Sequence, residues 1–253
     1  MISKNKIKFI KSLEYKKHRQ ETGCFLAEGN KLVADLLPYF QCEFLLAKKE
    51  WLNTQKTIKA KEIIEAEIGE IEKVSLLKNP QDVIAVFTQP KYELDKEKLS
   101  SNLSLILDGI QDPGNLGTII RIADWFGIKN IICSLDTADA YNPKTIQATM
   151  GAIARVEVSY RDLVDLLAGF ENTSIYGTFL EGENIYTENL SSSGFIIMGN
   201  EGNGIRPEIE KKVNRRIHVP NFPVKEKTSE SLNVAVATAI ICSEFRRQQV
   251  YSI

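Results

Sequence analysis

The sequence is poor in the residues that usually announce a metal, a disulfide framework or a membrane. It has four cysteines, two histidines and two tryptophans in 253 residues. Cys24, Cys42, Cys133 and Cys242 are far apart, form no C-x-x-C pair and sit in mostly apolar contexts, so they read as reduced core thiols. His18 and His218 are too few and too distant from paired cysteines to make a zinc set, and no metal is expected. No apolar run reaches membrane-spanning length, and the opening MISKNKIKFIKSLEYKKHRQ has no apolar core of signal-peptide length. The net charge of −1 excludes a chain that is basic all over, while leaving room for a local basic face. There is no internal repeat or low-complexity segment. These absences predict a soluble, cytoplasmic protein with no membrane partner. With 43% hydrophobic residues the chain can bury a core for one large or two modest domains.

Taken in order, residues 1–90 read as a small α/β domain. Its first twenty residues carry Lys4, Lys6, Lys8, Lys11, Lys16, Lys17 and Arg19 against Glu14 alone, with Ile7, Phe9, Ile10 and Leu13 as a helical apolar stripe. Such a face is either simply solvated or a phosphate-contacting surface for nucleic acid. Strands are predicted at Cys24–Ala27, Glu43–Ala47 and Val83–Thr88, and helices at Gly29–Leu37 and Lys61–Val74. Gln89–Asn102 is polar and free of periodic apolar positions, so residues 91–102 are taken as a linker. Residues 103–253 then alternate strand and helix throughout, the pattern of a mostly parallel sheet with helices on both faces.

The second domain opens on LSLILDGIQDPGNLGTIIRIADWFGI, Leu103–Ile128. A buried-type strand runs into a turn rich in Asp, Pro, Asn and Gly, and a helix follows with Asn115 as its expected N-cap. Arg121 interrupts the apolar helix near the carboxyl end of the strand, where ligands bind in open α/β sheets. It is either a surface arginine with a snorkelling stem or a site residue. The turn lacks the three-glycine spacing of a dinucleotide fingerprint.

Two more junctions follow. GFIIMGNEGNGIRPEI, Gly194–Ile209, takes an apolar strand into a loop whose glycine density lets backbone approach a ligand closely, with Glu201 among the glycines. RIHVPNFPVKEKTSESLNVAVATAIICSEF, Arg216–Phe245, ends a strand at Val219 and starts a nearly all-apolar helix at Ser229 or Ser231. Ser231 and Asn233 thus stand at the N-terminus of a helix expected to be buried, where free N–H groups favour a polar or anionic ligand.

Together the patterns N-x5-R, G-N-E-G-x-G and S-L-N-V resemble the motifs of the SpoU (TrmH) family of RNA ribose 2′-O-methyltransferases, of the SPOUT superfamily. The likeness extends to the wording LDGIQDPGNLGTIIRIAD, to ADAYNPKTIQATMGA, and to the EGN segment at Gly29, which is similar to the family's amino-terminal substrate-binding domain. It covers nearly the whole chain. The resemblance implies a ribosomal-protein-like α/β substrate-binding domain before a catalytic domain with a deep trefoil knot, S-adenosylmethionine as cofactor, and a homodimer with sites at the subunit interface. By match to the motifs, Asn115, Arg121, Glu201, Ser231 and Asn233 take catalytic and substrate-positioning places. Gly199, Val219 and Leu232 line the methyl-donor pocket, with Thr178 at a further position.

The implied chemistry suits these residues. Methyl transfer to a ribose hydroxyl is an in-line displacement requiring alignment and removal of a proton. Arg121 is expected either to orient a phosphate beside the target ribose or to act as base; Asn115 is expected to hold Arg121 or the ribose, and Glu201, Ser231 and Asn233 to position loops and hydroxyl. The pattern departs at Gln147 and Thr149, where the family often has Arg and Ser, and in the loop Pro220–Glu230, which is longer than usual. Ribosomal RNA is the favoured substrate. The alternatives are transfer RNA, or a non-catalytic RNA-binding or ribosome-assembly protein of the same fold.

Overall fold

The computed structural model describes residues 2–223 and 229–251. The first elements are α1 (Lys4–Ser12), α2 (Lys16–Thr22), β1 (Cys24–Glu28), α3 (Asn30–Leu36), β2 (Cys42–Ala47), α4 (Lys49–Thr54), β3 (Ile63–Glu65), α5 (Ile68–Glu72) and β4 (Val83–Thr88). They are followed by α6 (Lys96–Ser101), β5 (Leu103–Asp108), α7 (Pro113–Trp125), β6 (Asn130–Cys133), α8 (Pro143–Thr149) and β7 (Glu157–Tyr160). The chain finishes with α9 (Leu163–Leu167), β8 (Ile175–Asn184), β9 (Gly194–Gly199), α10 (Pro207–Glu210), β10 (Arg215–His218) and α11 (Val234–Val250).

Two compact units result. One comprises Met1–Lys91 with Asp139–Ala154, and the other Tyr92–Ala138 with Arg155–Ile253. The first unit is built on a four-stranded sheet in the order β1-β4-β2-β3. Ile10, Leu13, Leu26, Leu46, Ile71, Ile84 and Val86 fill a core on this sheet. The segment Asp139–Ala154 joins it by specific contacts: the Tyr141 ring packs tilted against Phe25 with centres 4.9 Å apart, and Gln147 Nε2 donates to the Glu28 carbonyl at 2.7 Å.

The second unit has a six-stranded sheet, order β10-β8-β9-β5-β6-β7, in which every pairing is parallel. All six residues of β5 are buried, as expected of a central strand covered on both faces. Burying a side chain such as Leu105 or Ile106 contributes about 1.5–3 kcal/mol. From β5 the chain moves to β6 on one side, whereas from β9 it moves to β10 on the other. The carboxyl ends of β5 and β9 therefore form a topological switch point, where open α/β sheets bind ligands.

Four local expectations are corrected. The segment 61–74 is not one helix: Ile63 and Ile64 pair with Leu45 and Leu46 as strand β3, and only Ile68–Glu72 is helical. Two adjacent β-branched residues at an open edge of β2 find ladder partners that outweigh helical propensity. The polar stretch read as linker contains α6, capped by the Asp95 side chain and anchored by buried Leu99. Helix α7 is capped by Asp112, not Asn115: the Asp112 carboxylate accepts the Asn115 backbone N–H at 2.7 Å, with Pro113 opening the helix. Helix α11 starts at Val234, later than expected, and it is not buried all round, since Val236 is 51% exposed.

All four cysteines are free and buried. Burial raises the thiol of Cys42 to about 11 and that of Cys242 to about 12, which keeps both protonated and unreactive at neutral pH. Among the described residues no helix is long and apolar enough to cross a membrane.

Candidate active site

The site is built where β5 and β9 end side by side, with Asp108 in register with Gly199. Asp108 is a carboxylate inside an otherwise apolar core, and such a charge persists only when paired and hydrogen-bonded. Arg206 supplies both. Its backbone N–H donates to Oδ2 at 2.8 Å, while Nε and Nη2 reach Oδ1 at 2.7 and 2.6 Å. Asp108 in turn holds the Arg206 pKa above its ordinary value. A hydrogen bond from Ser134, helped by the charge of Arg206, holds the nearby Asp136 carboxyl below the usual range.

The ion pair clamps the end of the glycine-rich loop. Its beginning is fixed by Asn200, whose Nδ2 donates to the Gly109 carbonyl at 2.7 Å and whose Oδ1 accepts the N–H groups of Gly202 and Asn203. Backbone bonds between Asn200 and Gly204 close the turn. Gly199 is required by this closure, because a Cβ there would lie 2.4 Å from the Gly204 carbonyl carbon and 2.5 Å from the Ile205 nitrogen.

The loop presents Glu201 to two other motifs. Asn115 Nδ2 donates to Glu201 Oε1 at 2.8 Å, and Asn233 Nδ2 donates to Asn115 Oδ1 at 3.0 Å. The Asn233 side-chain oxygen meanwhile accepts the N–H groups of Ala235 and Val236, capping α11. Three residues separated by 86 and 118 positions in sequence thus form one hydrogen-bonded chain.

Arg121 stands apart from that chain. On α7 it lies six residues beyond Asn115, with about 120° between the two side chains around the helix axis. It is exposed on the side of Thr118 and Trp125, opposite the buried Leu116, Ile119, Ile120 and Ala123. Among the described residues none of its five guanidinium N–H donors makes a hydrogen bond or ion pair. Asn115 does not hold Arg121 in this structure, its side chain being shared between Glu201 and Asn233.

The other sequence candidates fall in two groups. Ser231 and Leu232 are exposed on the segment before α11, outside the helix. Gly199 ends β9 and Val219 directly follows β10, while Thr178 directly follows the part of β8 that pairs with β9, its hydroxyl donating to the Ile197 carbonyl at 2.9 Å. Beside Val219, His218 keeps a buried Nδ1 with no hydrogen-bond partner among the described residues. The loop Pro220–Glu230 lies partly outside the described residues. Gln147 and Thr149 both make internal bonds in the first unit, Gln147 to Glu28 and Thr149 to the Ile146 carbonyl. Sequence reasoning missed Asp108, Asn200 and Arg206. The available signal was a carboxylate ending a strand apolar but for Ser104, with an arginine following the glycine loop.

Two family profiles cover most of the chain. The SpoU rRNA methylase family matches residues 102–243, and the MRM3-like substrate-binding domain matches residues 4–85. The chain belongs to the SpoU rRNA methylase family. One relative in this family is the 23S rRNA (guanosine(2553)-2′-O)-methyltransferase RlmP of Bacillus subtilis, 34% identical over 95% of this chain and 96% of its own length. A TrmH-family protein of Porphyromonas gingivalis has a solved structure that superposes with a TM-score of 0.90 at 39% identity, covering 98% of this chain and 99% of that one. The AdoMet-bound rRNA methyltransferase of Sinorhizobium meliloti superposes at 0.83 with 29% identity, covering 99% and 97%.

Proposed function

We propose that this SpoU-family chain transfers a methyl group from S-adenosylmethionine to a ribose 2′-hydroxyl of large-subunit ribosomal RNA, at a guanosine as in the Bacillus relative. The observation that carries the reading is the meeting of Asn115, Glu201 and Asn233 in one hydrogen-bonded chain at the switch point, with the guanidinium of Arg121, unpartnered among the described residues, on the same helix as Asn115.

The neighbouring strands suit the cofactor. Thr178, Gly199, Val219 and Leu232 are uncharged, so the set offers backbone hydrogen-bonding groups and apolar contacts instead of a phosphate cradle. The Nδ1 of His218 next to Val219, buried and unpartnered among the described residues, is a polar atom of the kind that a ligand satisfies. When bound, the cofactor supplies an electrophilic methyl group on a sulfonium. Arg121 grips the phosphate beside the target ribose with its fork of donors and so orients the hydroxyl. Because a guanidinium does not deprotonate in proteins, Arg121 acts by orientation, and removal of the hydroxyl proton is helped by that phosphate. Glu201, Asn115 and Asn233 hold the glycine loop and the start of α11 in one arrangement around the reacting atoms, and Ser231 contacts the ribose from the segment before α11.

The same reading includes a homodimer in the cytoplasm. Leu232, Val236 and the half-buried Ala239 and Ile240 form an apolar strip on and before α11 that a second copy would cover. It also includes the trefoil knot: after β10 at the sheet edge, the chain returns so that α11 packs on α7 and β9 near the sheet centre.

The test is transfer of labelled methyl from S-adenosylmethionine to RNA from a strain lacking the gene, fractionated into ribosomal and transfer species. Label in ribosomal RNA, retained in an alkali-resistant dinucleotide, is the expected result. Label in transfer RNA would overturn the substrate assignment. No label together with no cofactor binding would leave a non-catalytic RNA-binding protein.

A further inference from the structure

We propose that the outer face of α1 and the ring of Tyr15 form the surface on which the first unit holds RNA, the lysines contacting phosphates and Tyr15 stacking on one unpaired base. The proposal rests on the reading of this chain as an RNA methyltransferase and assigns the part of it that grips the substrate away from the reacting ribose.

The charge of the amino-terminal stretch is sorted by the fold. Arg19 is only 1% exposed and is used internally: it donates to the Leu13 and Glu14 carbonyls at 2.8 Å each and to Asp139 at 2.6 and 2.9 Å. Lys6 turns inward, paired with Glu62 and lying 4.9 Å from the centre of the Phe44 ring. Lys17 faces Glu21 at 3.9 Å. Lys4, Lys8, Lys11 and Lys16 remain exposed, with no carboxylate partner among the described residues. Lys4, Lys8 and Lys11 follow an i, i+4, i+7 spacing, so they share a sector of roughly 60° over about 10 Å of α1. The other side of α1 and the turn after it bury Ile10 and Leu13 in the core.

This arrangement works against the helix itself. The first turn of α1 has no acidic residue, and Lys4 sits at the positive end of the helix dipole, where a cation is destabilising by about 0.3–1 kcal/mol. The fold gains nothing from that placement, whereas a polyanion does. Tyr15 adds a second observation. It opens α2 without making a side-chain cap bond, and it is 63% exposed, its ring edge-on to His18 at 6.4 Å. An aromatic ring held open between Lys11 and Lys16 is the combination that binds single-stranded RNA, with backbone neutralisation from the cations and base stacking from the ring. Arg19 makes the surface rigid, because its bonds to Leu13 and Glu14 fix the turn that sets Tyr15 between the two helices. Glu14 is the single carboxylate among the first twenty residues.

The experiment measures binding of the full chain to protein-free large-subunit ribosomal RNA as a function of salt. The triple variant Lys4→Gln/Lys8→Gln/Lys11→Gln should lower the slope of log K against log salt by roughly two and weaken binding at least about tenfold at physiological salt. Tyr15→Ala should weaken binding by about 5- to 100-fold while Tyr15→Phe keeps it, the pattern of stacking. In methyl transfer both changes should raise KM for RNA and leave kcat and cofactor affinity within about twofold. An unchanged salt slope in the triple variant overturns the phosphate surface, and an unchanged affinity in Tyr15→Ala overturns the stacking platform. Binding of the wild type to anionic vesicles but not to RNA would overturn both. If the wild type neither binds nor methylates RNA, the proposed function falls too, an outcome distinct from failure of this surface alone.

Discussion

Two arginines, one in each unit, are placed in opposite ways. In the first, Arg19 is enclosed, with its guanidinium divided between two backbone carbonyls and the carboxylate of Asp139. In the second, Arg121 stands in solvent on α7 with no protein partner among the described residues. A satisfied and buried guanidinium serves folding, because its donors already have acceptors that cannot be reached by anything else. An unsatisfied one has no folding role to explain it. It is available to a planar anion such as a phosphate. The difference therefore separates architecture from chemistry without reference to conservation, and it makes opposite predictions for the two residues.

The largest effect is expected from Arg121→Ala. Turnover should fall on the order of 10³-fold, as when a preorganised donor is removed from a transition state. The thermal midpoint should barely move, because surface substitutions stay within about 0.5 kcal/mol. Cofactor affinity measured by calorimetry should remain within a fewfold; its loss would show that Arg121 acts on the methyl donor instead. Arg19→Ala inverts the pattern. It strands Asp139 in a largely buried position, and breaking a buried ion pair from one side costs about 3–5 kcal/mol. Denaturant unfolding should show that loss. An Arg19→Ala protein of undiminished stability would erase the contrast between the two arginines.

A smaller effect is expected from Asn115→Ala, which cuts the link between Glu201 and Asn233. Turnover should drop roughly 10- to 100-fold, the worth of a hydrogen bond to a charged group. Stability should change little, because all three side chains reach solvent. If turnover is unaffected, the three motifs meet for structural reasons alone.

Much of this layout was legible in the sequence because strong local signals agreed with the tertiary outcome. Leu103–Leu107 is apolar at every position save Ser104, which suits a strand buried on both faces, and its register beside β9 places Gly199 opposite Asp108. The three motif residues Asn115, Glu201 and Asn233 also met as a group. What failed were choices between neighbours of similar chemistry. Asp112 and Asn115 are both good caps, and the proline at position 113 decides for Asp112 by opening the helix there. Ile63 and Ile64 suited either a helix or a strand until β2 offered ladder partners. The Asp108–Arg206 pair spans 98 residues, and no local pattern announces which of many charged residues will meet. Assignment of Asp139–Ala154 to the first unit was hidden for the same reason, since its partners Arg19, Phe25 and Glu28 lie more than a hundred positions earlier.

The smallest expected effect sharpens the comparison from the side of the buried charges. Glu28 is buried, with Ser75 donating to one carboxylate oxygen and the Leu76 N–H to the other at 2.8 Å. Burial nonetheless wins over these hydrogen bonds and pushes its pKa above the ordinary value of 4.5. A carboxyl with a raised folded pKa stabilises most while protonated, so its contribution is full below the unfolded value and declines as pH rises through the folded one. The side-chain amide of a Glu28→Gln variant does not titrate. The wild type should therefore lose stability relative to that variant as pH is raised from about 4 to 7, as read from paired denaturant unfolding curves. A stability difference that stays flat with pH would mean that the hydrogen bonds from Ser75 and Leu76 fully offset the burial of Glu28.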